Sequence, residues 1–276
     1  MTSKLSQAAP SYSQLLYLWE QRTLYIGSVN DPLNISTGAS TLMFALDKPI
    51  QFKTSKMTAP VECRSLLLPA GTETMIDTQG GTIANCTLDP LGKDLHTLSK
   101  LMEHQCGNGY YQLQSEQAQI EKFRAIGSAP LDSHEILASF IDILKINSNK
   151  ASTNNIDQRI ERIIELIQGT ISENLSLSEL AEAANISPSR LTQLFKEQTG
   201  LPVRRYRLWY RLYITAFKIG QGMNLTESAA AAGFTDSPHF IRTSRSMLGI
   251  KPSCVFQMKI MLPNSVEAEA PCSINY

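Results

Sequence analysis

The sequence predicts an α+β chain of two domains. An antiparallel β-barrel with attendant helices comes first, then an all-α domain in which two helix-turn-helix motifs are joined by a linker helix. Three observations predict it. Short apolar runs broken by turn residues fill the stretch from Thr23 to Leu88. One helix–turn–helix pattern occurs twice between Leu175 and Pro252. A polar run, Asn147-Ser-Asn-Lys-Ala-Ser-Thr-Asn-Asn155, separates the two. Two domains suit 276 residues, and a hydrophobic content of 42% is enough for ordinary cores.

Residues 1–14 are polar and are expected to fray, and Leu15 to Trp19 reads as a short helix or a strand. The strand candidates that follow are Leu24-Tyr-Ile26, Thr41 to Leu46, Ile50-Gln-Phe52, Val61, Ser65 to Leu68, Thr74-Met-Ile76 and Thr82 to Leu88. Asn30-Asp-Pro32, Asp47-Lys-Pro49, Pro69-Ala-Gly71 and Gln79-Gly-Gly81 supply the turns. Many short strands at this spacing predict a small barrel or sandwich. From Asp94 to Lys145 the spacing turns helical: Leu95, Leu98, Leu101 and Met102 form one series, and Ile136, Phe140, Ile143 and Leu144 another. The expected division is 1–150, then 156–262, with a disordered tail over 263–276.

In the second domain Ile156, Ile160, Ile163, Ile164 and Ile167 form the apolar stripe of a bracing helix. The first helix-turn-helix is expected at about 177–198. Ser176 and Glu179 fit a capping box, and small Ala181, Ala183 and Ala184 let the next helix pack closely. Ser187-Pro188 reads as N-cap and first helical position. Leu191, Leu194 and Phe195 form the inner edge of that second helix, which Gly200 and Pro202 end. The second copy, at about 225–248, repeats the design. Asn224 and Glu227 cap it, Gly233 turns, Ser237-Pro238 restarts the helix, Phe240 and Leu248 face inward, and Gly249 and Pro252 stop it. Between the copies, Trp209, Leu212, Ala216 and Ile219 form one buried stripe of a linker helix over Val203 to Ile219, whose start is crowded by Arg204, Arg205, Arg207 and Arg211.

These residues carry a resemblance. Residues 156 to 256 resemble the DNA-binding domain of the AraC/XylS family of bacterial transcription regulators, through Leu177-Ser-Glu-Leu-Ala181, Ser187-Pro-Ser-Arg-Leu191, Leu194-Phe-Lys196, Gly200, Ala232-Gly-Phe234, His239-Phe240, Arg242 and Gly249-Ile-Lys-Pro252. The resemblance covers about a third of the chain. It implies that Ser189, Thr192 and Gln193 face bases in one groove and Ser237, His239, Ile241 and Arg242 in the next, with Arg190, Lys196 and Arg245 on phosphates; Arg205 is expected on phosphate as well. One departure is Ser244, where the family has an aromatic and where Phe195 stands in the first copy. The expected consequence is a weaker second half, or one repacked by Met247. More loosely, Leu66-Leu-Leu-Pro-Ala-Gly-Thr-Glu-Thr resembles the strand–turn–strand of cupin-like sensor domains, so the first domain is expected to be a cupin-like sensing or dimerisation module.

The net charge is zero, but from Ile186 to Ile260 eleven basic residues face three acidic ones, a local excess of eight positive charges. Such a segment is the footprint of a phosphate binder. No run of 18 apolar residues is present and the first ten residues lack a signal core, so a cytoplasmic protein without a membrane span is expected. Five scattered cysteines without a Cys-x-x-Cys pair read as reduced thiols. His96, His104, Cys86 and Cys106 match no zinc spacing, and residues 23–88 contain no histidine, so no metal or other cofactor is expected. Asp77, Glu73 and Asp132 have no partner base or nucleophile, and no enzyme activity is expected.

The function expected is therefore a sequence-specific DNA-binding transcription regulator, an activator that answers to a small-molecule effector. Its expected partners are double-stranded DNA, RNA polymerase and a second copy of itself. Two alternatives stand beside it. A cupin-type enzyme fused to a DNA-binding domain would need barrel histidines. An adaptive-response DNA repair protein would need a Pro-Cys-His-Arg setting, of which Cys63-Arg64 supplies only part. Lys53 and Arg64 are the candidate anchors for an acidic effector in the barrel, and that barrel is either a pocket or filled by side chains.

Overall fold

The computed structural model describes residues 14–19, 22–91, 94–128, 133–143, 156–249 and 258–262. The polar run 147–155 and the tail after Leu262 lie outside the described residues, as does the start of the chain.

The N-terminal region is built on two sheets. Strands β1 (Leu15–Leu18), β2 (Thr23–Ser28), β4 (Thr41–Ala45), β7 (Ser65–Leu68), β9 (Thr82–Thr87), β10 (Met102–Cys106), β11 (Gly109–Leu113) and β12 (Lys259–Met261) form one sheet, in the order β10-β11-β7-β4-β9-β2-β1-β12. Strands β3 (Leu33–Ser36), β5 (Ile50–Thr54), β6 (Val61–Cys63) and β8 (Glu73–Asp77) form the other, in the order β3-β8-β5-β6. The middle of the large sheet is buried on both faces at β4, which is why that strand reads as an unbroken apolar run rather than an alternating one. Leu42 and Phe44 point to one side, with Leu24, Ile26, Ala84 and Cys86, and pack under helices α2 (Glu116–Ser128) and α3 (Ser133–Ile143) through Phe123 and Phe140. Met43, Ala45 and Ile83 point to the other and meet Leu33, Phe52 and Ile76 of the small sheet. The shared interior of the two sheets is thus filled by side chains.

Two stretches depart from the sequence expectation. Leu101 and Met102 do not continue a helix. A short helix, α1 (Asp94–Ser99), ends there, and β10 and β11 form an antiparallel hairpin. Cys106 pairs with Gly109, so the turn is Gly107-Asn108, and a glycine at φ +59 in its first position is hairpin chemistry that the spacing of the leucines concealed. Strand β12 was not expected at all. It follows the helical region in sequence yet pairs in parallel with β1, with Leu16 opposite Ile260. Leu15 to Leu18 is a strand.

The C-terminal region is helical: α4 (Gln158–Gly169), α5 (Leu177–Ala183), α6 (Pro188–Thr199), α7 (Val203–Gly220), α8 (Leu225–Ala231) and α9 (Ser237–Leu248). The stripe Ile160, Ile163, Ile164 and Ile167 is buried and braces α5 and α6 through Leu180, Leu191 and Phe195. The expected capping box is present: Glu179 N donates to Ser176 Oγ at 3.2 Å and Ser176 N to Glu179 Oε2 at 2.7 Å. Helix α7 has 18 residues and is about 27 Å long at 1.5 Å per residue. Among the described residues no helix is long and apolar enough to cross a membrane.

Candidate nucleic-acid interface

Helices α6 and α9 are two versions of one design. Ser187 caps α6, and its hydroxyl accepts from Arg190 N at 3.2 Å. The cap of α9 is Asp236, one residue before the Ser237 expected from sequence, and its carboxylate accepts from His239 N at 2.6 Å. That bond holds the Asp236 carboxyl below its ordinary range. Both helices end on a left-handed glycine, Gly200 at φ +76 and Gly249 at φ +72. Caps and stops are each 49 residues apart, so the two helices can be read position by position. Arg190 corresponds to His239, Thr192 to Ile241, Gln193 to Arg242, Lys196 to Arg245 and Phe195 to Ser244.

Most of the residues expected to face outward are exposed, and two are not. Ser189, Arg190, Thr192, Gln193 and Lys196 are exposed on α6, and Ser237, Arg242 and Arg245 on α9. His239 and Ile241 are half-buried. Local bonds hold several of them ready: Gln193 Nε2 donates to Glu197 Oε1 at 2.7 Å, Thr192 Oγ1 donates to Pro188 O at 2.9 Å, and His239 Nδ1 lies 3.3 Å from the Thr235 hydroxyl. Exposed polar side chains of this kind match base edges in a major groove.

Between the two helices runs a groove whose walls include Thr192 of α6 and His239 of α9, with Arg204, Arg207 and Arg211 of α7 along it. Arg204 is exposed. Arg207 donates to Asn174 Oδ1 at 3.3 Å. Arg211 is buried and donates to the carbonyls of Ile171 and Glu173, so it clamps the loop before α5. Burial and the neighbouring Arg207 charge lower the Arg211 pKa. Arg204 and Arg207 were not singled out as site residues from sequence, although they stand beside Arg205 in the same basic run.

Arg205 is placed differently from the expectation. It turns away from the groove and its Nη2 donates to the carbonyl of Ser36, the last residue of β3 in the N-terminal region. Its Nε is buried without a hydrogen-bond partner, and burial lowers its pKa. The reason is the register of α7: Arg204 and Arg207 lie on one side of the helix, and Arg205 lies 100° further round.

Other expected residues lie apart from this interface. Lys53 is on the rim of a surface groove with Glu73 and Ser246, and Arg64 donates to Asp47 O at 3.3 Å. Neither lines the cavity described below. Burial and the Glu116 and Glu62 carboxylates push the Cys63 thiol up to about 12, and burial alone raises Cys86, which makes both poor thiolates. Among the described residues no three His, Cys, Asp or Glu side chains come together as metal ligands would.

That cavity, of about 130 Å³, lies between the two regions. The outer part of the large sheet, with Leu16, Tyr25 and Asn85, forms one wall; Trp209 and Leu212 of α7 and the inner side of α9 form the other. Ser244 is on that inner side, 1% exposed, and Met247 packs beside it into the helical core.

Comparison with known proteins agrees with this geometry. A family model described as a helix-turn-helix domain matches residues 180–258. The transcriptional regulator GbdR of Pseudomonas aeruginosa is 32% identical over 95 residues, which cover 34% of this chain and 26% of GbdR. The transcriptional activator RhrA of Rhizobium meliloti is 29% identical over 126 residues, 43% of this chain and 40% of RhrA. The chain thus matches well under two thirds of the length of these relatives. The fold of the whole chain is similar to that of ToxT from Vibrio cholerae: the ligand-free K231A form aligns with a TM-score of 0.58 at 13% identity, over 86% of this chain and 97% of that one. Over its helix-turn-helix region, this chain is thus similar to transcription regulators of the AraC/XylS type.

Proposed function

We propose that the protein is a sequence-specific DNA-binding transcription regulator, an activator that responds to a small-molecule effector. The observation that carries the reading is the pair α6 and α9: two helices with equivalent caps and stops, presenting Gln193 and Arg242, and Lys196 and Arg245, at equivalent exposed positions on either side of an arginine-lined groove. We read α5–α6 and α8–α9 as two helix-turn-helix units that enter successive major grooves, with α7 as the rod between them. Ser189, Thr192 and Gln193, then Ser237, His239, Ile241 and Arg242, read bases. Arg190, Lys196 and Arg245 take phosphates, with Arg204 and Arg207 gripping the backbone between the grooves. Arg205 joins them only if it lets go of Ser36.

The division proposed is a cupin-like sensing domain over 1–150 and a DNA-binding domain over 156–262. The two stacked sheets support the first, and the continuous helical core of α4 to α9 supports the second. ToxT, which shares the fold, has been solved with a bound unsaturated fatty acid, in a form that aligns with a TM-score of 0.54 at 13% identity over 87% of this chain and 98% of that one. An apolar effector fits the same reading here, seated between the domains rather than inside the filled sheets. Contact with RNA polymerase, a homodimer and a cytoplasmic location complete the proposal.

Footprinting of the full chain on randomised duplex DNA tests it. Two protected segments about one helical turn apart, ~34 Å, are expected. Protection of a single segment, or none at all, overturns it.

A further inference from the structure

We propose that the cavity between the sheet and helices α7 and α9 is a binding site for an uncharged molecule of about one six-membered ring that carries a hydroxyl or amide donor. The proposal rests on the regulator reading above and names the effector class.

Size comes first. At about 130 Å³, the cavity is comparable to the engineered cavities of ~150 Å³ that stay dry and take up benzene. A two-ring compound or a long acyl chain does not fit without the walls moving. Charge comes next. Among the described residues the lining contains no Lys, Arg, His, Asp or Glu; its polar groups are threonine and serine hydroxyls, the Tyr25 phenol and the Asn85 amide. A carboxylate seated there would lose its hydration with no cation opposite, which is costly. The polar handle comes last. Asn85 Oδ1 is buried and has no hydrogen-bond partner among the described residues. A buried orphan acceptor costs about 1–3 kcal/mol, and an O–H or N–H donor on the ligand would remove that penalty.

Internal comparison explains why the space is there. Phe195 of α6 fills the core of the first helix pair and is fully buried; its counterpart in α9 is Ser244, equally buried. The difference between a phenyl ring and a hydroxymethyl group is about one ring, which is the size of ligand the cavity takes. Ser244 is thus the specificity-determining residue. Its neighbours in the cavity wall, Phe240 and Leu248, belong to the same helix that presents Arg242 outward, so a ligand seated there bears directly on the second DNA-reading helix.

The test uses the full chain with benzyl alcohol and with benzoate, two probes of one size that differ in charge. Benzyl alcohol is expected to raise the melting temperature in a concentration-dependent way and to change the emission of Trp209, which lines the cavity, while benzoate does neither at the same concentrations. Ser244→Phe and, independently, Ala216→Leu, both filling the cavity, are expected to weaken benzyl alcohol binding at least tenfold. The Trp209 signal of the unaltered chain serves as a readout that does not depend on either variant folding. Benzoate binding as tightly as benzyl alcohol, neither probe binding, or benzyl alcohol binding undiminished in a folded variant overturns the proposal. DNA binding by the ligand-free chain, read by gel shift, tests the regulator reading separately, so either can fail alone.

Discussion

The Arg205 guanidinium donates to the carbonyl of Ser36, 169 residues earlier in the chain. This bond joins the start of the linker helix to the strand region, and it sits beside Gly38, where an added Cβ would lie 2.7 Å from Trp209 Cδ1. The cation that sequence alone assigns to DNA therefore serves to dock the two regions. Arg204→Ala is expected to weaken DNA binding on all sequences alike and to lower the slope of log K against log salt by about 1. Arg205→Ala should leave that slope unchanged. An equal fall in the slope for Arg205→Ala would mean that the side chain leaves Ser36 for a phosphate when DNA binds.

Gln193 and Arg242, which the proposed reading assigns to bases, occupy equivalent positions on the two helices. Gln193 suits adenine and Arg242 suits guanine, and each bidentate pair contributes about 1–3 kcal/mol of discrimination. Alanine at either position is expected to relax preference at one place in the binding site, the two places lying one helical turn apart. Selection from a random library with each variant measures this. An unchanged preferred sequence for Gln193→Ala would displace α6 from the groove.

The helical half was legible in the sequence because its signals are local. Ser176 with Glu179, Ser187-Pro188, Gly200 and Gly249 act within a turn or two of where they stand, and all of them cap or stop the helices expected. The fully buried strands were legible as strands, since turn residues bound them. What stayed hidden depends on distant partners. The β10–β11 hairpin was masked because Leu98, Leu101 and Met102 also satisfy helical spacing, and only the Gly107-Asn108 turn argued otherwise. The direction of Arg205, the placement of Lys53 and Arg64 away from the cavity, and the cavity itself are set by how the two regions dock, for which no local pattern exists. The role of Ser244 was half legible: its departure from Phe195 marked a gap, and Met247 packs beside it as expected, but the space left over opens toward the sheet.

Gly233 makes the turn between α8 and α9 at φ +85, where an added Cβ would approach Ile171 O to 2.7 Å and Arg211 Nη2 to 3.0 Å. Both backbone strain and the clash oppose a side chain there, and the carbonyl it meets is the one Arg211 holds. Gly233→Ala is expected to destabilise the fold by about 1–3 kcal/mol. Thermal unfolding of the variant checks it, and an unaltered melting temperature would mean that the turn relaxes freely.

Strand β12 is the C-terminal addition to the large sheet. This strand returns from the helical region to the edge of the large sheet, with Lys259 N donating to Gln14 O at 2.8 Å and Ile260 opposite Leu16. The end of α7 presses on it: an added Cβ at Gly220 would lie 2.8 Å from Ile260 Cγ2. Strand β12 therefore closes an edge that β1 would otherwise expose and ties the linker helix to the sheet. Met258, just before it, closes one side of the cavity. A chain ending at residue 257 is compared with one ending at 262, so that only the strand and its flanks differ. The longer chain is expected to melt as the full chain does. The shorter one should melt lower, by about 2–4 °C for each kcal/mol lost, since a chain of this size has that sensitivity. Its β1 amides should exchange faster with solvent, as the backbone groups facing β12 lose their partners. Because β12 also ties α7 to the sheet, DNA affinity of the shorter chain should change while its base preference stays the same. Identical melting of the two chains would show that the strand adds nothing to the junction, and that the Arg205–Ser36 bond and the packing of α9 hold it alone.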